Sequence, residues 1–365
     1  MISAGTLLDR RRRATRSRSA ASTRRVPASL LLPFLVALLL VAIVLAAGIG
    51  AVRVGPMQIL GIVLHHLGMT TDIAFTRQQD AVVWAIRIPR VLLATMVGAA
   101  LAISGAVLQG IFRNPLADPS IIGVSSGAAF GAVSAIVIGA TPFGLMTTPI
   151  AAFAGGIITT LVVWSLSRRN GRVDTVTLIL VGIALNSMIG AGMGMLNYMA
   201  DDEQLRSVVF WSMGSLGGAT WRNDLAILPL IALGLIVLPR KARDLNLLVL
   251  GEREARHLGV DVDRTRFLMI VVVALTTAAA VAFAGIIGFV GLIVPHLIRL
   301  VAGPDHRVLL PASALAGATL LVLTDLLART IVSPLELPIG IVTSLLGAPF
   351  FLFLLLRTRW QHGVM

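Results

Sequence analysis

The sequence contains no cysteine and a single lysine, and only 13% of its 365 residues are charged. Without cysteine, the chain cannot form a disulfide, a zinc–thiolate site or a cysteine nucleophile. Soluble domains carry about 25% charged residues. The low charge, the 57% hydrophobic content and the mean hydropathy of +0.92 are therefore typical of a membrane protein. Aromatic residues make up only 5%, and the arginines lie between apolar stretches, so we expect no nucleic-acid partner.

The lone lysine also excludes a nucleotide site of the commonest kind. Lys241 lies in the sequence Arg-Lys-Ala, whereas a phosphate-binding P-loop requires Gly-Lys-Ser or Gly-Lys-Thr. The sequence shows no pairing of a nucleophile with a base and no histidines at metal-ligand spacing. We therefore expect a protein that is not an enzyme and has no cofactor and no metal site. If its work requires ATP, the ATPase is a separate polypeptide.

Apolar stretches of membrane-spanning length recur along the chain. A first span is predicted at 28–50, and nine more are predicted at 91–110, 119–139, 147–167, 175–198, 224–239, 267–285, 287–302, 308–328 and 338–356. The predicted fold is an all-α polytopic membrane protein with ten transmembrane helices. Residues 28–358 would form this domain, preceded by a disordered arginine-rich arm at 1–27 and followed by a tail at 359–365.

The basic residues are divided unevenly between the two predicted sides of the membrane. The side of the N-terminus collects 23 Arg and Lys residues against 7 on the other side, and 15 against 7 without the arm. Cytosolic loops of membrane proteins are enriched in Arg and Lys, so both termini are predicted to be cytosolic. The arm either serves this orientation or attracts anionic membrane lipid. We expect a multi-pass protein of a bacterial cytoplasmic (inner) membrane.

The longest charged interruption between predicted spans is residues 240–266, which we interpret as an amphipathic cytosolic helix that docks a partner. Glu252 precedes Arg256 by four residues, the favourable order for an ion pair on a helix surface. Asn246 can cap the start of this helix, and Gly259 lies where a helix commonly ends. The alternative is an ordered loop on lipid headgroups. The residues expected at the docking surface are Leu248, Leu250, Gly251, Glu252, Ala255, Arg256, Leu258 and Gly259.

Polar side chains inside apolar spans are costly unless they pair or line water. The candidates for such a hydrated pathway are Ser104, Gln109, Ser125, Ser126 and Asn186. Hydroxyls and amides without ionisable side chains in series favour a passage over a proton relay, although interhelical hydrogen bonds are the alternative. Glycines at 123, 127 and 131 repeat every four residues, a spacing that permits close approach of helices.

A set of stretches in fixed order, from about residue 30 to 357, carries a family resemblance. They are 86–91 (Ile-Arg-Ile-Pro-Arg-Val), 98–109, 114–119 (Asn-Pro-Leu-Ala-Asp-Pro), 123–127 (Gly-Val-Ser-Ser-Gly), 211–214, 250–259 (Leu-Gly-Glu-Arg-Glu-Ala-Arg-His-Leu-Gly), 288–296, 305–307 (Asp-His-Arg) and 336–340. Together these stretches resemble the FecCD-type permease subunits of type II ABC importers for iron–siderophores, haem and cobalamin. The long arginine arm departs from that pattern.

The resemblance implies two permease subunits around a pathway, as a homodimer or a heterodimer of paralogues. It also implies two cytosolic ABC ATPase subunits, coupled through helices between spans 6 and 7, and an extracytoplasmic substrate-binding protein. The residues implied to meet the binding protein are Arg87, Arg90 and Arg329. The residues implied to close the pathway at its cytosolic end are Asn114, Leu116 and Thr175. The expected substrate is a ferric siderophore, with cobalamin or haem as alternatives.

Two other classes of protein remain as alternatives. An ion-coupled secondary transporter would need ionisable residues in the middle of its spans, and these are scarce here. A membrane scaffold or sensor would need neither the pathway candidates nor the proline and glycine breaks at the predicted membrane boundaries.

Overall fold

The computed structural model describes residues 26–139, 141–169, 172–173 and 175–362. The predicted disordered arm lies outside the described residues up to residue 25, as does the tail from residue 363. Within the described residues the regular secondary structure is helical, apart from two short strands. The strands β1 (Arg168–Arg169) and β2 (Arg172–Val173) pair in antiparallel register.

The helices follow one another with short connections. In chain order they are α1 (Ala28–Gly48), α2 (Pro56–His66), α3 (Arg77–Ala81), a π-helical segment (Val82–Arg87), α4 (Ile88–Phe112), α5 (Val124–Ile138), α6 (Thr147–Leu166), α7 (Thr175–Met199), α8 (Asp202–Ser212), α9 (Trp221–Arg240), α10 (Ala242–Leu250), α11 (Glu252–His257), α12 (Val262–Ala284), α13 (Val290–Ala302), α14 (His306–Thr330) and α15 (Ile339–His362). Short 3₁₀ segments, Pro119–Ile122 and Gly144–Met146, precede α5 and α6.

Each predicted span coincides with a helix, namely α1, α4 to α7, α9 and α12 to α15. In the part of the chain that the structure describes, seven helices are long and apolar enough to cross a membrane, counting α3, the π segment and α4 as one. Helices α5 and α13 are shorter, and so is the apolar part of α15, Ile339–Phe353. The sequence reasoning did not predict α2, α3 or α8. The all-helical prediction is confirmed by this architecture.

Helix α4 lies at the centre of the bundle. In its most apolar 18-residue stretch, 83% is buried, whereas 11% of the corresponding stretch of α7 is buried. It packs against α9, α12, α13 and α14, and its side chains belong to both of the large apolar clusters. Because α4 is surrounded by other helices, a displacement of its ends must be transmitted through the helices that contact it.

Small residues allow the helices to approach closely. Gly127 and Gly131 of α5 face Gly155 and Ala151 of α6, so a Cβ on either α5 glycine would overlap the α6 backbone. The four-residue repeat of glycines was predicted to have this role, and the α5–α6 contact confirms it.

The two ends of the bundle carry different polar groups. We call the end with the connections after α4, α9 and α13 the 250 end, because residue 250 lies there. The opposite end, with the connections after α1, α8 and α14, is called the 330 end. The polar segment predicted to dock the ATPase and the residues predicted to close the pathway lie at the 250 end. The three arginines predicted to meet the binding protein lie at the 330 end.

Candidate functional site

The polar segment at the 250 end forms two short helices instead of the single helix predicted from sequence. Helices α10 and α11 meet at Gly251, whose φ of +141° is a backbone conformation that residues with a Cβ rarely adopt. A Cβ at Gly251 would also overlap the carboxylate of Glu254. In the sequence, Leu248, Gly251, Ala255 and Leu258 have the spacing of one face of a continuous helix. The break at Gly251 divides them between two helices, so they do not form a single helical face.

The apolar residues of the two helices are divided between an inner and an outer side. Leu248 and Ala255 are buried in a small cluster with Val262, the first residue of α12. Leu250 and Leu258 are 66% and 60% exposed. The two helices therefore rest on the bundle through one apolar set and present another to their surroundings.

The end of α11 has the geometry expected of a glycine stop. The backbone N–H of Gly259 donates to the carbonyl of Arg256, and that of Val260 donates to Ala255, each over 3.0 Å. Gly259 has a φ of +87°. This pair of hydrogen bonds and the left-handed residue form a Schellman motif, so the predicted helix end at Gly259 is confirmed.

The ion pair predicted within the segment is wrong. Glu252 accepts a hydrogen bond from Arg266 Nη2 at 2.6 Å, and Arg256 Nη2 lies 2.9 Å from Asp263 Oδ2. Both partners, Arg266 and Asp263, belong to α12. Because α12 packs against α11, Glu252 and Arg256 each pair with a residue of α12 instead of with each other. Burial opposes ionisation of Glu252, but the hydrogen bond and charge of Arg266 outweigh it and hold the pKa of Glu252 below its usual value.

This pairing predicts a pH dependence. A carboxyl group whose pKa is lower in the folded state stabilises that state above its unfolded pKa, here 4.5, and loses the contribution as the pH falls through the folded value. We expect Glu252→Gln to melt at a lower temperature than the wild type at about pH 7, and at nearly the same temperature at about pH 3. Thermal unfolding in detergent at both pH values measures this. A difference that grows on acidification would contradict the assigned pairing.

The residues predicted to close the pathway lie at the 250 end, directly after α4. Arg113 ends α4 with a φ of 50°, and Asn114 and Leu116 follow on an exposed segment. The Leu116 N–H donates to Asn114 Oδ1 at 2.9 Å, which fixes the turn between them. Thr175 is the first residue of α7, and its side chain lies outside the described residues. The gating role of these residues stays a prediction.

Two of the pathway candidates lie inside the bundle. Ser104 is fully buried on α4, and Gln109 is 3% exposed. Gln109 Nε2 donates to the carbonyl of Gly291 at 3.1 Å, and Arg299 Nη2 donates to Gln109 Oε1 at 2.9 Å. Gln109 therefore ties α4 to α13 by hydrogen bonds, as the alternative interpretation of these candidates proposed.

The other three candidates lie at the partly exposed surface where α5 meets α7. The Ser126 hydroxyl lies 2.5 Å from Asn186 Oδ1, and Asn186 Nδ2 lies 3.4 Å from the carbonyl of Ser120. Ser125 is half-buried beside Ser126. This polar patch lies beside α7, whose most apolar stretch is only 11% buried within its own chain.

Of the three arginines predicted to meet the binding protein, Arg87 and Arg90 are buried at the 330 end, and the side chain of Arg329 there is 10% exposed. Arg87, at the end of the π-helical segment, is 4% exposed. Its guanidinium donates to the carbonyls of Ala47, Gly48 and Val52 at 2.8, 3.0 and 2.5 Å. These bonds hold the connection after α1 against the bundle.

Arg90 and Arg329 form a charged network with two carboxylates. Arg90 lies 2.9 Å from Asp325 and 2.8 Å from Glu336. Arg329 lies 3.7 Å from Asp325 and donates to the carbonyl of Ala46. Asp325 is 1% exposed, whereas the Glu336 side chain is 49% exposed. In this conformation the arginines pair with their own chain, and Glu336 is the member of the network that solvent reaches most.

The sequence reasoning missed two groups of residues. At the 330 end, His66 stacks on Trp84 with ring centroids 4.0 Å apart and pairs with Asp80 at 2.9 Å. At the 250 end, Asn246 was predicted to cap a helix but lies inside α10, where it contacts Asp305 and His306. The Asp-His-Arg stretch at 305–307 stood out in the sequence as part of the family resemblance, but nothing in the sequence shows which residue it contacts.

A bundle of apolar helices with polar side chains between them and a folded polar segment at one end is the architecture of a polytopic membrane protein. The chain belongs to the FecCD transport family, which matches residues 38–357. The resemblance found in the sequence is thereby confirmed, and the chain is an ABC importer permease of this family.

Individual relatives agree with this assignment. The cobalamin import system permease protein BtuC of Halobacterium salinarum is 52% identical over 282 residues, covering 76% of this chain and 73% of that protein. The hemin transport system permease protein HmuU of Yersinia pestis is 45% identical over 352 residues, covering 93% and 99%. A solved structure described as a metal-chelate type ABC transporter in an inward-facing conformation is 38% identical, with a TM-score of 0.78 over 89% of this chain and 98% of that one.

Proposed function

We propose that this chain is the membrane-spanning subunit of an importer that carries a large metal chelate, as an intact complex, across a bacterial cytoplasmic membrane. Separate ATPase subunits supply the energy. The observation that carries the proposal is the pair of helices α10 and α11, which present exposed leucines at one end of a bundle of the FecCD family. A permease with no P-loop needs such a surface to take up work from an ATPase.

In the proposed topology, all ten predicted spans cross the membrane and both termini are cytosolic. The 250 end then faces the cytosol and the 330 end faces outward. The excess of arginine on the side of the 250 end supports this orientation, since positively charged loops are retained in the cytosol.

The ATPase would dock on the surface formed by Leu250, Leu258 and the charged residues of α11. A second permease subunit, identical or a paralogue, would cover the exposed face of α7. The apolar side chains on that face, among them Ile183, Met188 and Met195, are 58%, 70% and 67% exposed. The polar patch of Ser126 and Asn186 would then border the pathway between the two subunits.

The binding protein would dock at the 330 end. Arg87 and Arg90 are buried, and Arg329 is largely covered, with its side chain 10% exposed. We therefore propose that the three arginines fix the shape of this docking face through their hydrogen bonds to the connection after α1 and their ion pairs with Asp325 and Glu336. A direct contact between these arginines and acidic residues of the binding protein would require them to leave their present partners.

The substrate class is proposed on chemical grounds and by family relationship. A ferric siderophore, cobalamin or haem carries its own ligands for the metal, so the permease needs no affinity for the bare ion. The complete absence of cysteine from the sequence agrees with this. Relatives named for cobalamin and hemin transport make these two compounds as well supported as the siderophore expected from the sequence.

Uptake of labelled chelates distinguishes the candidates. A strain lacking this permease would be supplied separately with labelled cobalamin, haem and a ferric siderophore, with the restored strain as the control. We expect loss of saturable uptake for one of these compounds and its recovery on restoration. Normal uptake of all three compounds in the deletion strain would contradict the proposed function.

A further inference from the structure

Asn246, in the middle of α10, is fastened to the start of α14 by three polar contacts. Its Nδ2 donates to Asp305 Oδ1 at 2.6 Å, and its Oδ1 accepts the backbone N–H of His306 at 2.9 Å. The same Oδ1 lies 2.8 Å from His306 Nδ1. A carboxylate only accepts hydrogen bonds, so the amide nitrogen must face Asp305 and the amide oxygen must face His306. His306 therefore carries its proton on Nδ1.

The carboxylate of Asp305 also belongs to the start of α14. Its Oδ1 accepts the backbone N–H of Arg307 at 3.0 Å, as expected of a residue that caps a helix. Hydrogen bonds from the Arg307 N–H and from Asn246 hold the pKa of Asp305 below its usual value. The side chain of Asn246 is thus part of the N-terminal cap of a membrane-spanning helix.

On its other side, His306 packs against the end of α4. The imidazole is 3% exposed, and a Cβ added to Gly110 would lie 2.7 Å from His306 Nε2. The same Cβ would lie 3.1 Å from Leu245, which precedes Asn246 on α10 and is fully buried. His306, the first residue of α14, therefore lies between α10 and the last turn of α4 at Gly110, which is four residues before Asn114.

The second helix of the polar segment is attached elsewhere. Glu252 and Arg256 of α11 pair with Arg266 and Asp263 of α12. Gly251 separates these attachments from that of Asn246. The two short helices are therefore linked to different spanning helices, α10 to α14 and α4, and α11 to α12.

We propose that Asn246 and His306 are positioning residues that make α10 and the segment after α4, which carries Asn114 and Leu116, move as one unit when the ATPase acts. The inference rests on the proposed function. Two sites are coupled when they share an element that has two arrangements and each site favours one of them. Here the shared element is α10 together with the end of α4, and the two sites are the ATPase-docking surface and the segment that carries Asn114.

Distance measurements in the assembled complex test the shared motion. Since the chain has no cysteine, Arg243→Cys on α10 and Leu116→Cys provide two unique sites for spin labels, both at exposed residues. On addition of ATP, we expect the 243–116 distance to stay constant in the otherwise wild-type protein. The distance from residue 116 to a label at Leu145, which is 92% exposed, should change. In Asn246→Ala, ATP should change the 243–116 distance. Equal behaviour with and without this substitution would overturn the proposal.

Transport and ATP hydrolysis supply the second readout. We expect Asn246→Ala to bind the ATPase and hydrolyse ATP, while chelate imported per ATP falls by about tenfold. His306→Gln, which retains a donor toward Asn246, should be affected less than His306→Ala. The matched control is Asn223→Ala, since the Asn223 amide makes a local bond to Gly218 at the opposite end.

The outcomes separate the two proposals. If the wild-type complex imports no chelate with ATP, the proposed function fails, and the present inference fails with it. If the wild type imports chelate and Asn246→Ala does so equally well per ATP, only the present inference fails. Should Asn246→Ala fold poorly, the comparison of His306→Gln with His306→Ala decides in its place, and equal import per ATP by these two variants would overturn the inference.

Discussion

Arg90→Ala is expected to destabilise the folded protein by about 3–5 kcal/mol, the usual cost of leaving one member of a buried ion pair without its partner. Arg90 is 8% exposed and its guanidinium bonds both oxygens of Asp325, which is 1% exposed. Removal of Arg90 leaves the Asp325 carboxylate with only the more distant Arg329. Thermal unfolding of the purified protein in detergent measures the loss.

Two further variants make this result specific. Arg77→Ala removes an exposed arginine from α3 at the same end of the molecule and should leave the melting temperature almost unchanged. Asp325→Asn, combined with Arg90→Ala, removes the uncompensated charge and should restore part of the lost stability. Equal melting temperatures for Arg90→Ala and Arg77→Ala would contradict the proposed role of the buried network.

Gly251→Val is expected to weaken binding of the ATPase by about tenfold or more, a change of ~1.4 kcal/mol or more in binding free energy. Valine cannot readily adopt the φ of +141° found at this position, so the substitution strains the backbone where α10 and α11 meet. Helices α10 and α11 must then change their relative orientation. The exposed Leu250 and Leu258 would no longer be presented to a partner in the present arrangement.

The measurement is the dissociation constant of the ATPase for the permease in detergent or nanodiscs. Gly218→Ala is the matched control, because a Cβ on Gly218 meets no atom within 4 Å and the residue lies at the opposite end. Gly218→Ala should melt near the wild-type temperature. Gly251→Val should still fold but melt at a lower temperature, because Gly251 is buried and the strained backbone disturbs the packing of Leu248 and Ala255. If Gly251→Val binds the ATPase as tightly as the wild type, the proposed docking of the ATPase on α10 and α11 is contradicted.

Hydrophobicity was sufficient to locate the apolar helices of the bundle, because long apolar runs are a property of the sequence alone. The break at Gly251 could not be located in this way, since Leu248 and Ala255 have a spacing that a continuous helix would also produce. Glu252 illustrates a second limit. Arg256, four residues away, was the expected partner of Glu252. The fold instead brings Arg266, which is more distant in the sequence, to 2.6 Å from its carboxylate.

The arginines at the 330 end show what charge patterns leave undetermined. Arg87, Arg90 and Arg329 were expected at one end of the bundle, and the structure brings them together there. The burial of Arg87 was not foreseeable, because its partners are backbone carbonyls, which every sequence contains. The contacts of Asn246 were missed for a related reason, since Asp305 and His306 are about sixty residues away in the chain.

The central claim is that this chain transmits work done by a separate ATPase. It is tested most directly by chelate uptake into proteoliposomes that contain the permease alone or the permease with its ATPase and binding protein. We predict no accumulation by the permease alone with ATP, and none with a proton or sodium gradient, but ATP-dependent accumulation by the full assembly. Accumulation driven by an ion gradient in vesicles without the ATPase would contradict the account.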